Sequence, residues 1–411
     1  MDITILIFLL VYLAMALGGL PGLKVDRTGA AIVGAMAMMT VGSIDPKAAW
    51  DAIDYTSIGM LFGLMVVSAA FVVSGFYGWT ARKVAAASVS PPALLAILIV
   101  VAGVLSAFLT NDVVAVAMTP LLMSITLNKG LNPIPFLLGF CFAANAGASG
   151  TIIGSPQNMI AAQKLNLSFA GVSEITAIPA LLSLPIIWFV VSWLYRGRWQ
   201  LTGSAAANKP TAANLDEEPF SMGETIKAIV VALAVVIAFI FSSWPRELIA
   251  LTAAGLLLLS RRVSSSDMLK QVDGDLLLLI MGLFIVNAAV SATGLPQSLL
   301  SELARQGVDL NQPFVLFLVS SVISNIVGNN PAVMMLVPYL HSQGDSQYGA
   351  ALSMGTHFSS NLVVFGSLAG IIMVERAKAY GFTISFAEFT RAGAIVTVLT
   401  MVMAAVWLLA F

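Results

Sequence analysis

Two short polar segments interrupt strongly apolar sequence, and each offers groups that can bind an ion or a small polar solute. The first is Thr110-Asn111-Asp112, and the second is Gly328-Asn329-Asn330, followed by Pro331. Asparagine and aspartate tolerate turns, and their side chains supply oxygens beside exposed backbone groups. Such backbone groups inside a membrane cost several kcal/mol unless protein, water or ligand satisfies them. Both segments are therefore predicted to hold a substrate.

Asp112 is the one acidic residue that the sequence places in the core of an apolar segment. Burial in a medium of low dielectric favours a neutral carboxylic acid, so Asp112 is the predicted proton carrier. A structural acid held by backbone amides is the alternative, and His357 is the second candidate for proton coupling. No cofactor is predicted, and the coupling ion is a proton or, alternatively, sodium.

A second pair of polar breaks lies downstream of the first. Asn145 to Asn158 is rich in glycine, serine and amides, and its counterpart runs from His357 to Ser367. We expect discontinuous helices at both places, with small-residue helix packing as the alternative. The second break is predicted to be the milder one, because Leu368 stands where the first has Pro156.

The surrounding composition identifies the solvent of these segments. Of 411 residues, 59% are hydrophobic and 9% are charged, against roughly 25% charged in a soluble domain. The chain is therefore predicted to be an all-α polytopic membrane protein. A net charge of -1 gives no basic surface for nucleic acid. One cysteine, Cys141, and two histidines without a hydrolase motif predict neither a metal site nor an enzyme.

An internal repeat organises the chain. Val104–Leu122 aligns with Val322–Leu340, and Gly63-Leu64 aligns with Gly282-Leu283 at nearly the same offset. Gly154-Ser155 aligns with Gly366-Ser367 further on, in the same order. The sequence between the halves is polar and reads as a linker. The predicted organisation is an N-terminal repeat at 1–195, a cytoplasmic linker at 196–224 and a C-terminal repeat at 225–411.

The number of membrane crossings predicts how the halves are oriented. Each half holds about five transmembrane helices and one re-entrant hairpin, whose tips lie near 110–112 and 328–330. Five is odd, so the second half is predicted to be inverted relative to the first. This arrangement puts 15 of the 19 Lys and Arg residues on one side, which the positive-inside rule makes cytoplasmic. The protein is then a multi-pass protein of the cytoplasmic (inner) membrane with both termini outside.

The polar segments also carry a family resemblance. Ser106-Ala-Phe-Leu-Thr-Asn-Asp112 with Thr119-Pro120, and then Asn329-Asn330-Pro331, resemble signatures of the ion transporter superfamily. Within it the chain is most similar to arsenical permeases of the ArsB type and to bacterial anion permeases. The resemblance implies a site built from hairpin tips and broken helices. It assigns substrate binding to these residues: Asn111, Asp112, Asn329, Asn330, Ser149, Ser155, Asn158, Ser359 and Asn361.

The resemblance implies secondary active transport, with proton-coupled efflux of arsenite or antimonite as the leading prediction and a soluble ATPase as a partner of an arsenical permease. Residues 154–158 are closer to general anion permeases, so a di- or tricarboxylate such as citrate or succinate, another small anion, or sodium/proton antiport stays an alternative. A passive channel and an intramembrane enzyme are more distant alternatives. One cysteine cannot form a thiolate trap for trivalent arsenic, so arsenite would be carried as its neutral trihydroxide.

Overall fold

The computed structural model describes residues 2–20, 22–201, 219–340 and 344–411, and the regular elements in these ranges are helices. Part of the predicted linker, residues 202–218, lies outside the described residues. The helices are α1 Ile3–Leu17, α2 Arg27–Thr40, α3 Pro46–Ala52, α4 Tyr55–Val73, α5 Phe76–Ala85, α6 Pro91–Phe108, α7 Asn111–Asn128, α8 Pro133–Ala148, α9 Pro156–Lys164, α10 Phe169–Leu194, α11 Met222–Phe241, α12 Arg246–Leu258, α13 Ser265–Leu269, α14 Gly274–Ser291, α15 Leu295–Arg305, α16 Pro313–Val327, α17 Asn329–Leu336, α18 Ser346–Ser359, α19 Leu368–Ala379 and α20 Phe386–Ala410.

Seven helices within the described ranges are long and apolar enough to cross a bilayer. They are α4, α6, α7, α10, α11, α14 and α20. Three shorter apolar helices, α1, α8 and α16, accompany them. The prediction of an all-α polytopic membrane protein is confirmed.

Local sequence explains where many of the helices start. Proline occupies the first turn of α3, α6, α8, α9 and α16, where its missing N–H costs no hydrogen bond. Aspartate caps several others: Asp26 accepts from the Gly29 amide, Asp54 from the Thr56 amide, and Asp273 from the Leu276 amide. These aspartates lie at the ends of α2, α4 and α14, and two of them reappear at the cavity described below.

Two helix pairs cross between the predicted repeats at matching positions. α4 packs against α12, and α2 packs against α14. A Cβ added to Gly63 would lie 2.5 Å from the Ala250 backbone, and a Cβ added to Gly282 would lie 2.8 Å from the Ala31 backbone. Gly63 is as far from Gly282 in sequence as Ala31 is from Ala250. The two contacts are therefore reciprocal, as two related units packed face to face would produce; their inverted orientation in a membrane stays a prediction.

Adding a methyl group at Gly63 tests this packing. We expect Gly63→Ala and Gly282→Ala each to lower the free energy of unfolding by about 1–3 kcal/mol, because backbone atoms of the partner helix cannot move aside. Gly255→Ala on α12 is the matched control, since open space surrounds that position. Thermal unfolding in detergent measures the effect. Equal midpoints for Gly63→Ala and Gly255→Ala would contradict the close contact.

The remaining long helices form a bundle around the polar breaks. α6 packs against α8 and α16 against α18, while α10 and α20 contact each other, and α7 contacts α19. Helix α8 ends at Ala148 and α9 begins at Pro156, whereas α18 ends at Ser359 and α19 begins at Leu368. The second break is at least as long as the first but contains a short 3-10 helix at Val364–Gly366, so the expectation that it is milder stays a prediction. Ser367 is extended (φ −141°) and caps α19 through the Gly370 amide, so no proline is needed to start this helix.

Candidate functional site

The first polar segment forms a buried turn between α6 and α7. Leu109 and Thr110 are 3% and 2% exposed, whereas the other ends of the two helices, near Ser90 and Lys129, are exposed. The Thr110 amide donates to Ser68 Oγ at 3.3 Å, and the Asn111 amide donates to the Gly154 carbonyl at 3.0 Å. The turn is therefore held inside the protein, which is how a non-helical backbone is tolerated at membrane depth.

The second polar segment forms the equivalent turn between α16 and α17. Gly328 makes the turn with φ of 93°, a left-handed conformation that favours glycine. The Asn329 side chain and the Ser360 hydroxyl exchange hydrogen bonds of 2.9 and 3.1 Å. Asn111 thus contacts the break after α8, and Asn329 contacts the break after α18. Each turn is anchored on the broken helix of its own predicted repeat.

Asn145, on the last turns of α8, joins the two halves of the bundle. Its Nδ2 donates to Asn361 Oδ1 and to Ser367 Oγ, both at 3.0 Å. Its Oδ1 accepts a longer bond of 3.4 Å from Asn111 Nδ2. Asn145 is fully buried. One amide therefore connects the first turn to the second break, which lies in the other predicted repeat.

The two breaks share a geometry. A Cβ added to Gly154 would lie 2.3 Å from the Ala148 carbonyl oxygen, and a Cβ added to Gly366 would lie 2.8 Å from the Ser360 carbonyl oxygen. Asn158 Nδ2 satisfies two carbonyls freed by the first break, those of Ala148 and Thr151, at 3.0 and 2.9 Å. This bonding explains an asparagine at the start of α9: it supports the broken backbone from behind.

His357 lies behind the breaks and both ring nitrogens have partners. Nδ1 is 2.8 Å from the Ser353 carbonyl, which can only accept, so Nδ1 carries the proton. Nε2 then accepts from Gln157 Nε2 at 3.0 Å. The ring is fully buried. His357 orients Gln157, and its role in proton coupling stays a prediction.

A cavity of about 450 Å³ lies against both turns. It is lined by these residues: Leu17, Gly18, Asp26, Arg27, Thr28, Asn111, Asp112, Gln157, Asp273, Asp275, Leu276, Leu279, Val327, Gly328, Asn329, Asn330, Pro331, Phe365, Gly366, Ser367, Leu368 and Ile371. Asp26 and Asp273 are exposed, whereas Asn111 and Gln157 are buried. The cavity therefore opens to solvent at the N-terminal starts of α2 and α14, and the two turns form its floor.

Four helices begin at the floor of this cavity. Asn111 starts α7, Asn329 starts α17, Leu368 starts α19, and Gln157 is the second residue of α9. Helix N-termini present unpaired N–H groups and the positive end of the helix dipole. Each can stabilise a nearby anion by about 0.3–1 kcal/mol, and by more where the site is partly buried. The floor is thus a ready-made site for an oxygen-rich solute.

A family model described as "CitMHS: Citrate transporter" matches residues 8–356 of the chain. The chain belongs to this citrate transporter family. The family is one of transporters rather than enzymes, and it falls within the ion transporter superfamily, so that resemblance is confirmed. Transport is accordingly the function of the protein, and the residues at the cavity are candidates for carrying it out.

Several relatives of this citrate transporter family member are named as transporters. An uncharacterized transporter of Mycobacterium tuberculosis (strain ATCC 25618 / H37Rv) is 30% identical over 413 residues, covering 94% of each chain. The silicon efflux transporter LSI3 of Oryza sativa subsp. japonica is 24% identical, covering 87% of this chain and 86% of that one. The solved structure of the Alcanivorax borkumensis YdaH transporter has a TM-score of 0.60 at 14% identity, covering 98% and 97%. That structure shares the fold.

The predicted site residues fall into two layers around the cavity. Four of them, Asn111, Asp112, Asn329 and Asn330, line it. The other predicted residues do not line it and instead support the breaks: Ser149, Ser155, Asn158, Ser359, Asn361 and His357. Ser359, for example, lies 3.2 Å from Ser324 Oγ inside the bundle. Substrate contact by this second layer stays a prediction.

The sequence prediction missed several residues of the site. Gln157 and Ser367 line the cavity, while Asn145 and Ser360 position the turns. Ser360 begins the second break and Ser367 ends it, and Gln157 stands beside Asn158, so the polar composition of the breaks was a usable signal for them. Asn145 gave a weaker signal, because a lone amide in a small-residue helix equally indicates helix packing.

Several oxygens near the floor are left without a protein partner. Within the described ranges, Asn111 Oδ1 and Asn330 Oδ1 accept no hydrogen bond, and neither Thr110 Oγ1 nor Ser155 Oγ has a partner. A buried polar atom without a partner costs about 1–3 kcal/mol. The two amide oxygens belong to residues that line the cavity, so a bound solute or ion can satisfy them.

Proposed function

We propose that the protein is a proton-coupled secondary transporter of a small, oxygen-rich anion of the di- or tricarboxylate class. The observation that carries the proposal is the meeting of four helix N-termini at the cavity floor, with amides of Asn111, Asn329 and Asn330 beside them. Helix N-termini and amide donors balance anionic charge without a buried arginine. The description of the matched family as citrate transporters supports this substrate class.

Asp112 is the coupling group in this proposal. It is the second residue of α7 and lines the cavity, where it shares the floor with Asn330 of the other turn. Burial favours the neutral acid and the helix N-terminus favours the carboxylate, so the two effects oppose each other. A group balanced in this way can gain and lose a proton as the cavity changes sides. No described residue forms an ion pair with Asp112 that would hold it charged.

The cavity faces the cytoplasm in this proposal. Lys24 and Arg27 lie at the start of α2, which forms its mouth, Lys270 lies shortly before the start of α14, and Lys164 and Arg246 lie on the opposite side. The first group belongs to the majority of positive charges, which the positive-inside rule assigns to the cytoplasm. Both chain termini would then be extracytoplasmic, and the protein would lie in the cytoplasmic (inner) membrane of the cell.

Efflux of arsenite or antimonite is the second candidate. The observation in its favour is that Asp26, Asp112, Asp273 and Asp275 line the cavity with Arg27 as the one basic side chain among the described lining residues. Such a lining suits a neutral trihydroxide better than a free trianion, which would need a bound cation to balance its charge. The relative named as a silicon efflux transporter supports this class.

A transport screen separates the two candidates. We expect proteoliposomes to accumulate citrate or succinate when a proton gradient is imposed, and to accumulate neither when only a sodium gradient is imposed. Arsenite, antimonite and phosphate are assayed alongside under both gradients. Gradient-driven movement of arsenite without any carboxylate transport would replace the first candidate by the second. Substrate movement that never exceeds equilibrium under either gradient would contradict coupled transport and indicate a channel.

A further inference from the structure

The side of the bundle opposite the cavity is closed by a group of polar contacts. Lys164 Nζ, at the C-terminal end of α9, pairs with Asp54 Oδ2 at 3.2 Å, and Asp54 caps α4. Arg246, at the start of α12, donates to the Ala162 carbonyl at 3.1 Å and also to the Leu167 carbonyl. These contacts bind the end of α9 to the starts of α4 and α12. Cations suit this place because a helix C-terminus carries the negative end of the dipole.

Asp54 remains a charged partner at neutral pH. Burial by itself would raise the pKa of Asp54, but hydrogen bonds from the Thr56 and Ser57 hydroxyls and the Lys164 ammonium hold that pKa below its ordinary value. The carboxyl side chain is 11% exposed and the lysine side chain 38%. A half-shielded pair is screened less by salt than a pair on an open surface.

The same residue types recur at the open side, at the offsets of the internal repeat. The spacing that separates Gly63 from Gly282 also separates Asp54 from Asp273, and Arg27 from Arg246. Ser155 and Ser367 directly precede α9 and α19, and Lys164 and Arg376 have the same separation in sequence as these two serines. An aspartate that caps a helix, an arginine at a helix start and a cation at the end of a broken helix are therefore all present twice.

A fourth contact follows the same relation. Gln163 Nε2 donates to Glu247 Oε2 at 3.1 Å on the closed side. The matching positions on the open side are Glu375 for Gln163 and Thr28 for Glu247, since each directly adjoins a residue matched above. The donor and the acceptor have exchanged places, because the Thr28 hydroxyl can donate to the Glu375 carboxylate. The two positions can therefore form a hydrogen bond on both sides, although the residue types differ.

On the open side these groups are apart. Helix α9 packs against α4, but among the described helices α19 makes no comparable contact with α14. Asp273 caps its own helix, Arg27 Nε donates to the Met15 carbonyl at 2.9 Å, and Arg376 is exposed. No ion pair within the described ranges joins Asp273 to Arg376. The cavity occupies the space between Asp273 and the start of α19.

We propose that Asp54, Lys164 and Arg246 form a latch that holds the far side shut, and that Asp273, Arg376 and Arg27 form the matching latch when the cavity closes. Closure would bring the end of α19 onto the starts of α14 and α2, as the end of α9 now lies on α4 and α12. Arg27 would exchange the Met15 carbonyl for carbonyls at the end of α19. The two latches form alternately, so their relative strength sets which side is open. This inference is independent of the substrate.

Disulfide trapping tests the open-side latch without any substrate. In a Cys141→Ala background, Asp273→Cys and Arg376→Cys are combined, and oxidant-induced cross-linking in membranes is followed by peptide mass spectrometry. We expect slow cross-linking that becomes about fivefold faster when Lys164→Met weakens the opposite latch. Lys164→Arg keeps the positive charge opposite Asp54, so it should leave the cross-linking rate unchanged.

A second pair controls for general mobility of α19. Arg376→Cys is replaced by Lys378→Cys, which lies about 200° around the same helix and points away from the proposed contact. The proposal is overturned if the Asp273–Arg376 positions never cross-link, if Lys164→Met leaves their rate unchanged, or if the Lys378 pair cross-links equally fast. These results test the latch alone, because the cross-linking assay uses no substrate. A negative result in the substrate screen would not change their interpretation.

Discussion

Replacing Asp112 by asparagine is expected to abolish gradient-driven accumulation of substrate. Asp112→Asn keeps the size and most of the hydrogen bonds of the side chain but cannot exchange a proton, so the link between the gradient and substrate movement is lost. We expect accumulation under a proton gradient to fall by about a hundredfold, the upper part of the range for a coupling free energy between two sites. Everted vesicles with an imposed pH gradient measure it.

The same variant should still bind and exchange substrate. Asn330 occupies the equivalent place in the second turn, so an asparagine is compatible with this geometry. Counterflow of labelled citrate against unlabelled citrate, which needs no gradient, is therefore expected to continue. Asp267→Asn is the matched control, because Asp267 is an exposed acid on α13 that pairs with Lys270 outside the cavity. Wild-type accumulation by Asp112→Asn would exclude Asp112 as the coupling group.

The two turns were predictable because they break a simple rule. Asn111 and Asp112, or Asn329 and Asn330, stand between apolar flanks long enough to be membrane helices, and polar groups there need a reason. The structure places all four at one cavity. The length of the flanks does not tell whether the turn is buried, because α6 and α7 are each long enough to span a bilayer. The burial of Leu109 and Thr110 in the structure places their turn inside the protein.

The acids at the cavity mouth could not be predicted from sequence. Asp26 and Asp273 precede helices, where aspartate is common as an N-cap, and both do cap. Their second role depends on α2 and α14 lying side by side, where the Thr28 hydroxyl donates to the Asp275 carbonyl across the two repeats. A contact of that range is a property of tertiary packing. The local sequence predicts the N-cap but gives no information about the helix that packs beside it.

The repeat gave more than the positions of the turns. The match of Gly63 with Gly282 looked like one among many glycine matches, yet each glycine allows a close helix crossing with the other half. What the repeat could not give is the difference between the two sides. Equivalent residues such as Asp54 and Asp273 both cap helices but have different neighbours in space. In the latch proposal, that difference reflects the conformational state of the protein.

Loss of the Asn145 amide is expected to have the second large effect, because Asn145 connects the first turn to the second break. In Asn145→Ala, Asn361 Oδ1 and Ser367 Oγ lose their shared donor, and Asn111 Nδ2 loses its acceptor. Each buried group left unsatisfied costs about 1–3 kcal/mol, and the methyl group also leaves a void. We expect a clear fall in the thermal midpoint and a loss of transport of at least about tenfold.

Asn145→Asp separates bonding from packing at this position. The carboxylate keeps the shape of the amide and can accept from Asn111 Nδ2, and the Ser367 hydroxyl can turn to donate to it. When ionised, it cannot donate to Asn361 Oδ1, so two oxygens face each other unless the Asn361 amide turns and releases the Phe142 carbonyl, which it now contacts at 3.4 Å. Asn128→Ala, an exposed amide on α7 that bonds Ser124, is the control. If Asn145→Asp matches Asn145→Ala in transport but unfolds at the wild-type temperature, the Asn145 amide acts on the cavity through Asn361. If both variants transport normally, the link between the two halves does not serve transport, and each turn is positioned by its own half of the chain.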